Sequence, residues 1–148
     1  MSNKTIAVDL DGVCHSYTKS WQGGIIYDEP VQGAKEGLTE LKRLGYRVAI
    51  FTTRTNPMYR RKGDPEQHQQ IVDYMAKHEL PYDEIYVGPG KIMAEVYIDD
   101  RAISFKGDWQ HTIREVQKFK VWNKEVGAKS SSELWKPDED TEVVGNTK

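Results

Sequence analysis

Two aspartates one residue apart, Asp9 and Asp11, end an apolar run and stand directly before Gly12. Ile6, Ala7 and Val8 followed by Asp-Leu-Asp-Gly read as a buried strand that breaks into a turn. Side chains alternate across a strand, so Asp9 and Asp11 share a face and converge on one space. Two carboxylates there repel unless a cation lies between them or one takes a proton. The plainer readings are a calcium loop or a helix N-cap. A calcium loop would continue with more oxygen ligands, and Val13-Cys14-His15 supplies none of that kind.

Carboxylates at a strand end need a sheet behind them, and the rest of the chain supplies its elements in order. A stretch over 14–28 with Tyr17, Trp21, Ile25, Ile26 and Tyr27 around Gly23-Gly24 suggests a hairpin or flap above the aspartates. Ala34, Leu38, Leu41 and Leu44 recur at helical spacing over 33–44, and Gly45 supplies a stop. A second buried strand follows over 46–51, ending in Thr52-Thr53-Arg54. Strand, flap, helix, strand is a βαβ unit with a parallel sheet. Asp64-Pro65 reads as the start of a second helix that runs to about His78, with Ile71, Val72 and Met75 inward. Third and fourth strands are predicted over 84–87 and 95–98, and a short fifth over 103–105. A last helix starts near Asp108 with Trp109, Ile113, Val116 and Phe119 on its apolar face. From Gly127 the pattern dissolves into Ser130-Ser131-Ser132 and an acidic run. This divides the chain into a core over 1–126 and a tail over 127–148 that is loose or docked by Trp135.

Composition bounds the partners. The 148 residues suffice for one domain with a sizeable core. A net charge of −2 gives no global reason for nucleic-acid or membrane binding. The single cysteine excludes an internal disulfide framework and points to a reducing cytoplasm. No apolar stretch approaches a membrane-spanning length.

Three predicted strands end in polar groups: Asp9 and Asp11, Thr52, and Asp99-Asp100. Lys91 lies in the segment entering the last of them. In an open parallel sheet these ends lie on one edge, where α/β proteins place their chemistry. Four carboxylates, a hydroxyl and a lysine there describe a site for a hard divalent cation and a phosphate. The order Asp9-Leu10-Asp11-Gly12, Thr52, Lys91, Asp99-Asp100 resembles the haloacid dehalogenase (HAD) superfamily of phosphotransferases over about residues 4–110. Tyr97-Ile98-Asp99-Asp100-Arg101-Ala102 also looks like the small capless HAD phosphatases.

The resemblance implies a three-layer α/β/α, Rossmann-like (HAD-like) parallel sheet. It implies Asp9 as the nucleophile, forming an aspartyl-phosphate, and Asp11 as general acid and then base. Mg²⁺ would be held by Asp9, Asp99, the backbone carbonyl of Asp11, and Asp100 directly or through water. Lys91 and Thr52 would bind phosphoryl oxygens, with Thr53 as the alternative to Thr52. Arg54 offers a substrate contact or a surface ion pair, and His15 a substrate contact or a plain flap residue. Cys14 carries little weight as a nucleophile beside the aspartates. Arg60, Arg61 and Lys62 read as a solvated loop, and His68, His78 and His111 as helix-surface residues without metal-ligand spacing.

Neither insertion point used by HAD cap domains has room for one, so the site is expected to be capless and open beneath a small flap. The first function expected is a Mg²⁺-dependent phosphatase acting on a small phosphorylated metabolite, such as a nucleotide or sugar phosphate. The second is removal of a terminal (3′) phosphate from nucleic acid, as in the phosphatase half of polynucleotide kinase-phosphatases. The third is a HAD scaffold kept for binding. The oligomeric state is left open.

Overall fold

The computed structural model describes residues 4–123. β1 (Thr5–Val8), β2 (Arg47–Ile50), β3 (Glu84–Ile85) and β4 (Val96–Ile98) form one parallel sheet in the order β3-β2-β1-β4. Val8 stands opposite Ile50 on one side and Ile98 on the other. The residues that follow, Asp9, Phe51 and Asp99, therefore leave neighbouring strand ends at one edge.

α1 (Ala34–Arg43) links β1 to β2, and α2 (Gln67–Lys77) links β2 to β3. Both crossovers step the same way along the sheet, so right-handed connections place both helices on one face. The core agrees: Ile6, Val8, Val48, Ile50 and Ile85 pack with Leu38 of α1 and with Ile71, Tyr74 and Met75 of α2. Each such aliphatic side chain stabilises the fold by about 1.5–3 kcal/mol when fully buried. The alternate residues Ala7, Ala49 and Tyr97 turn to the second face. There they meet Tyr86, Ile92 and Ala94 of the connection from β3 to β4. That connection steps back across β2 and β1, and the same handedness sends it over the second face. The parallel α/β architecture expected from the sequence is present.

Local departures have local causes. α2 begins at Gln67 rather than at Asp64-Pro65, because the Glu66 carboxylate caps it, accepting from the N–H groups of His68 (3.2 Å) and Gln69 (2.7 Å). The segment 103–105 forms no strand, and among the described residues β4 is the edge. α3 (Trp109–Lys118) is capped by Asp108 as expected, but its apolar side is not packed inward. Trp109 is 69%, Ile113 51% and Val116 57% exposed. No helix among the described residues is long and apolar enough to cross a membrane. The tail over 127–148 lies outside the described residues.

The flap over 14–28 is a loop pinned at its base. Ser16 N–H donates to Glu29 O (3.0 Å) and Val31 N–H to Cys14 O (2.8 Å). Within it the Asp28 carboxylate accepts from both the N–H (3.0 Å) and the hydroxyl (2.7 Å) of Thr18.

Candidate active site

Asp9 extends the β1–β4 ladder by one bond, its N–H donating to Ile98 O at 2.9 Å. Its carboxylate then meets those of Asp99 and Asp100 from the end of β4. One oxygen from each of the three lies within 4.8 Å of the others. Gly12 is required for this approach. Its φ is +88°, and a Cβ there would come 2.1 Å from Asp100 Oδ2. Burial, then the charges of Asp99, Asp11 and Asp100, push the Asp9 carboxyl up to about 9. Burial also raises Asp100. Asp100 Oδ1 is buried without a hydrogen-bond partner. Three crowded carboxylates and one orphaned oxygen form a donor set that can hold a metal ion, and its all-oxygen chemistry suits a hard dication.

Asp11 turns away from this triad. Arg54 grips it with two bonds, Nε–H to Oδ2 at 2.8 Å and Nη2–H to Oδ1 at 3.0 Å. His15 Nδ1 lies 2.9 Å from Oδ1. The Asp28 N–H donates to His15 Nε2 at 3.0 Å, so Nε2 is the acceptor and Nδ1 carries the hydrogen toward Asp11. Tyr17, Tyr27 and Tyr74 box the imidazole, with ring centroids 5.5, 5.0 and 5.4 Å away. Burial pushes the Asp11 carboxyl up, but the guanidinium and the imidazole outweigh it and hold it below the usual carboxylate range. Asp11 is thus an ionised acceptor, and its side chain is not among the metal-holding carboxylates.

Arg54 joins this pair to the flap. Its Nη1 donates to Gln67 Oε1 (2.8 Å) and to Gly24 O (3.3 Å), and its guanidinium lies 4.7 Å from the Trp21 ring centroid. Gln67 Nε2 donates to the same Gly24 carbonyl at 3.0 Å. Gly24 has φ +83°, and a Cβ there would come 2.7 Å from Gln67 Nε2, so only glycine allows the latch. The sequence offers Arg54 and His15 as substrate contacts, and the structure buries both side chains completely behind Asp11. Both hydrogen-bond Asp11. An arginine four residues past a strand carries no sequence mark of such a partnership.

Thr52 is buried, and its hydroxyl oxygen accepts from Arg54 N–H at 3.2 Å, which leaves its own hydrogen to donate. Thr53 is exposed on the turn beyond it. Lys91 is not brought to the triad. It is exposed, with its ammonium 5.1 Å from the Tyr97 ring centroid. Cys14 is buried and its thiol is pushed up to about 12, first by burial, so it is no nucleophile. Trp122 is a contact that the sequence does not announce. Its indole N–H donates to Gly12 O at 3.0 Å, and the neighbouring Asn123 amide donates to Ser16 O.

No family model matches the chain, and no curated protein matches it. Among solved structures it is similar to a target protein from Vibrio cholerae, at 29% identity over 77% of this chain and 98% of that one, with a TM-score of 0.46. A conserved protein from Bacteroides thetaiotaomicron is 20% identical over 79% of this chain and 92% of that one, with a TM-score of 0.45. A chain of a Pnkp1/Rnl/Hen1 complex is 14% identical over 84% of this chain and 38% of that one, with a TM-score of 0.37.

Proposed function

We propose that the protein is a HAD-type phosphomonoester hydrolase that requires Mg²⁺ and acts on a small phosphorylated metabolite, such as a nucleotide or sugar phosphate. The observation that carries this reading is the meeting of Asp9, Asp99 and Asp100 at one sheet edge beside the Gly12 turn.

In the proposed reaction an Asp9 oxygen attacks phosphorus. The new O–P bond forms as the bond to the leaving oxygen breaks, and the leaving oxygen takes up a proton from solvent water or from Asp11 once that carboxyl is protonated. Water then attacks the aspartyl-phosphate, releasing phosphate and restoring Asp9. Mg²⁺ bound by Asp9, Asp99 and Asp100 would offset the repulsion between the nucleophile and an anionic substrate. Thr52 has a hydroxyl hydrogen for a phosphoryl oxygen. Asp11, ionised as it stands, suits the base that activates water. Donating a proton to the leaving group requires it first to leave Arg54 and become protonated. Lys91 joins only by swinging its flexible stem off Tyr97.

The test is phosphate release from nucleotides, sugar phosphates and 3′-phosphorylated oligonucleotides, with Mg²⁺ and with chelator, by wild type and Asp9→Asn. Release that needs both Mg²⁺ and Asp9 supports the reading. Preference for the oligonucleotide moves the substrate to nucleic-acid ends. Absence of turnover on the whole panel rejects the reading.

A further inference from the structure

α3 is inside out. Its half-buried residues are Thr112 and Glu115, while Trp109, Ile113 and Val116 face solvent. Trp109, Ile113 and Val116 form one apolar stripe on this arm; Phe105, from the loop before the helix, packs on Trp109 with ring centroids 5.0 Å apart, and Phe119 stands at the C-cap, the two being 51% and 40% exposed. The arm is held in this attitude at both ends. It leaves the sheet at Asp100, packed against Gly12, and returns where Trp122 donates to the Gly12 carbonyl.

A receiving surface exists on the same chain. α1 covers β1 and β2 but not β4, whose Val96 and Ile98 are 48% and 38% exposed on the helix-bearing face. Between them lies an apolar groove of about 290 Å³ walled by Val8, Val13, Leu38, Leu41 and Ile98. Gly37 of α1 also lines it, with open space above. The described residues thus offer an apolar helix and, lined by none of its residues, an apolar groove beside the edge strand β4.

We infer that the groove receives α3 of a second copy of this chain, in a two-fold dimer where each arm fills the other's groove. No residue of α3 lines the chain's own groove, and the chain just beyond α3 is tied down by the Trp122 and Asn123 bonds. A second copy meets the stripe as it stands. A two-fold pair makes the contact twice, once for each helix and groove. The exposed parts of Phe105, Trp109 and Phe119 supply on the order of 300 Å² per copy. With Ile113, Val116 and the groove walls, the pair reaches roughly 1,200 Å², the lower end of stable interfaces.

Sedimentation velocity of the full chain across the micromolar range tests this, with Trp109→Glu as the interface variant. Trp109 is exposed, so the variant keeps its fold, as circular dichroism will show. The dimer is expected, weakened about thirtyfold or more by Trp109→Glu. Mixing a Gly37→Cys chain with a size-tagged Ile113→Cys chain should give a disulfide-linked heterodimer on oxidation. A monomer throughout the range overturns the inference. So does a dimer indifferent to Trp109→Glu, or a Gly37→Cys/Ile113→Cys double variant that closes its disulfide within one chain.

Discussion

Replacing Arg54 by Met keeps most of the side chain's bulk and removes its charge. The Arg54 side chain is fully buried and the Asp11 side chain is 15% exposed, so the change leaves a largely desolvated carboxylate with only His15 opposite it. Breaking a buried pair from one side costs about 3–5 kcal/mol. The lost bonds to Gln67 and Gly24 place this case in the upper part of that range. The cost should also depend on pH. In the wild type the folded pKa of Asp11 is depressed, so its stabilisation is present above the unfolded value near 4 and is lost as pH falls through the folded one. In Arg54→Met burial acts unopposed by the guanidinium, the folded pKa moves the other way, and the variant loses stability as pH rises. Urea denaturation at pH 4 and pH 7 should therefore show the gap widening toward neutral pH. Adding Asp11→Asn to the variant should recover part of the loss, because the unpaired charge is gone. A cost under about 1 kcal/mol, or a gap equal at both pH values, would refute the partnership.

Three further predictions follow from the same geometry. Because the folded pKa of Asp9 is raised to about 9, the metal-free protein should lose stability as pH climbs from about 4 toward 9. A dication held by these carboxylates would bind their ionised form, so the rise in Tm on adding Mg²⁺ should be larger at pH 8 than at pH 6. A pH-independent rise would contradict the carboxylate site. Gly12→Ala should weaken Mg²⁺ affinity by about 10–100-fold in calorimetric titration, since the new Cβ displaces Asp100. Unchanged affinity would remove Asp100 from the site. Ile71→Ala, at a fully buried core position, should cost about 2–5 kcal/mol in urea denaturation.

The strands were legible because burial on both faces leaves a continuous apolar run, as in Val48-Ala49-Ile50, and because polar residues mark where each run ends. Asp9, Asp99 and Asp100 could be grouped in advance for that reason: a parallel sheet sends all such ends to one edge. What local sequence could not show was where long side chains go once they leave that edge. Lys91 follows a Gly-Pro-Gly break and settles over Tyr97, a contact fixed by the path over the second face. Arg54 finds Asp11 across 43 residues because β1 and β2 are neighbours, and the guanidinium is held there by a flap carbonyl. The late start of α2 could not be read in advance, since aspartate before proline is the favoured cap by type and glutamate is not, yet the Glu66 carboxylate is the one that meets the free N–H groups. For α3 the periodicity correctly located a helix, but periodicity says only that a face is apolar and not what covers it.

The central claim is that Asp9 becomes covalently phosphorylated during turnover. A rapid-quench experiment with the best substrate of the panel, radiolabelled in its phosphate and mixed with enzyme and Mg²⁺, tests it most directly. If Asp9 is the nucleophile, acid-stable label appears on the peptide that contains Asp9 before free phosphate does, and is absent from Asp9→Asn. Phosphate release without labelled protein, at a rate that Asp9→Asn leaves unchanged, would contradict it.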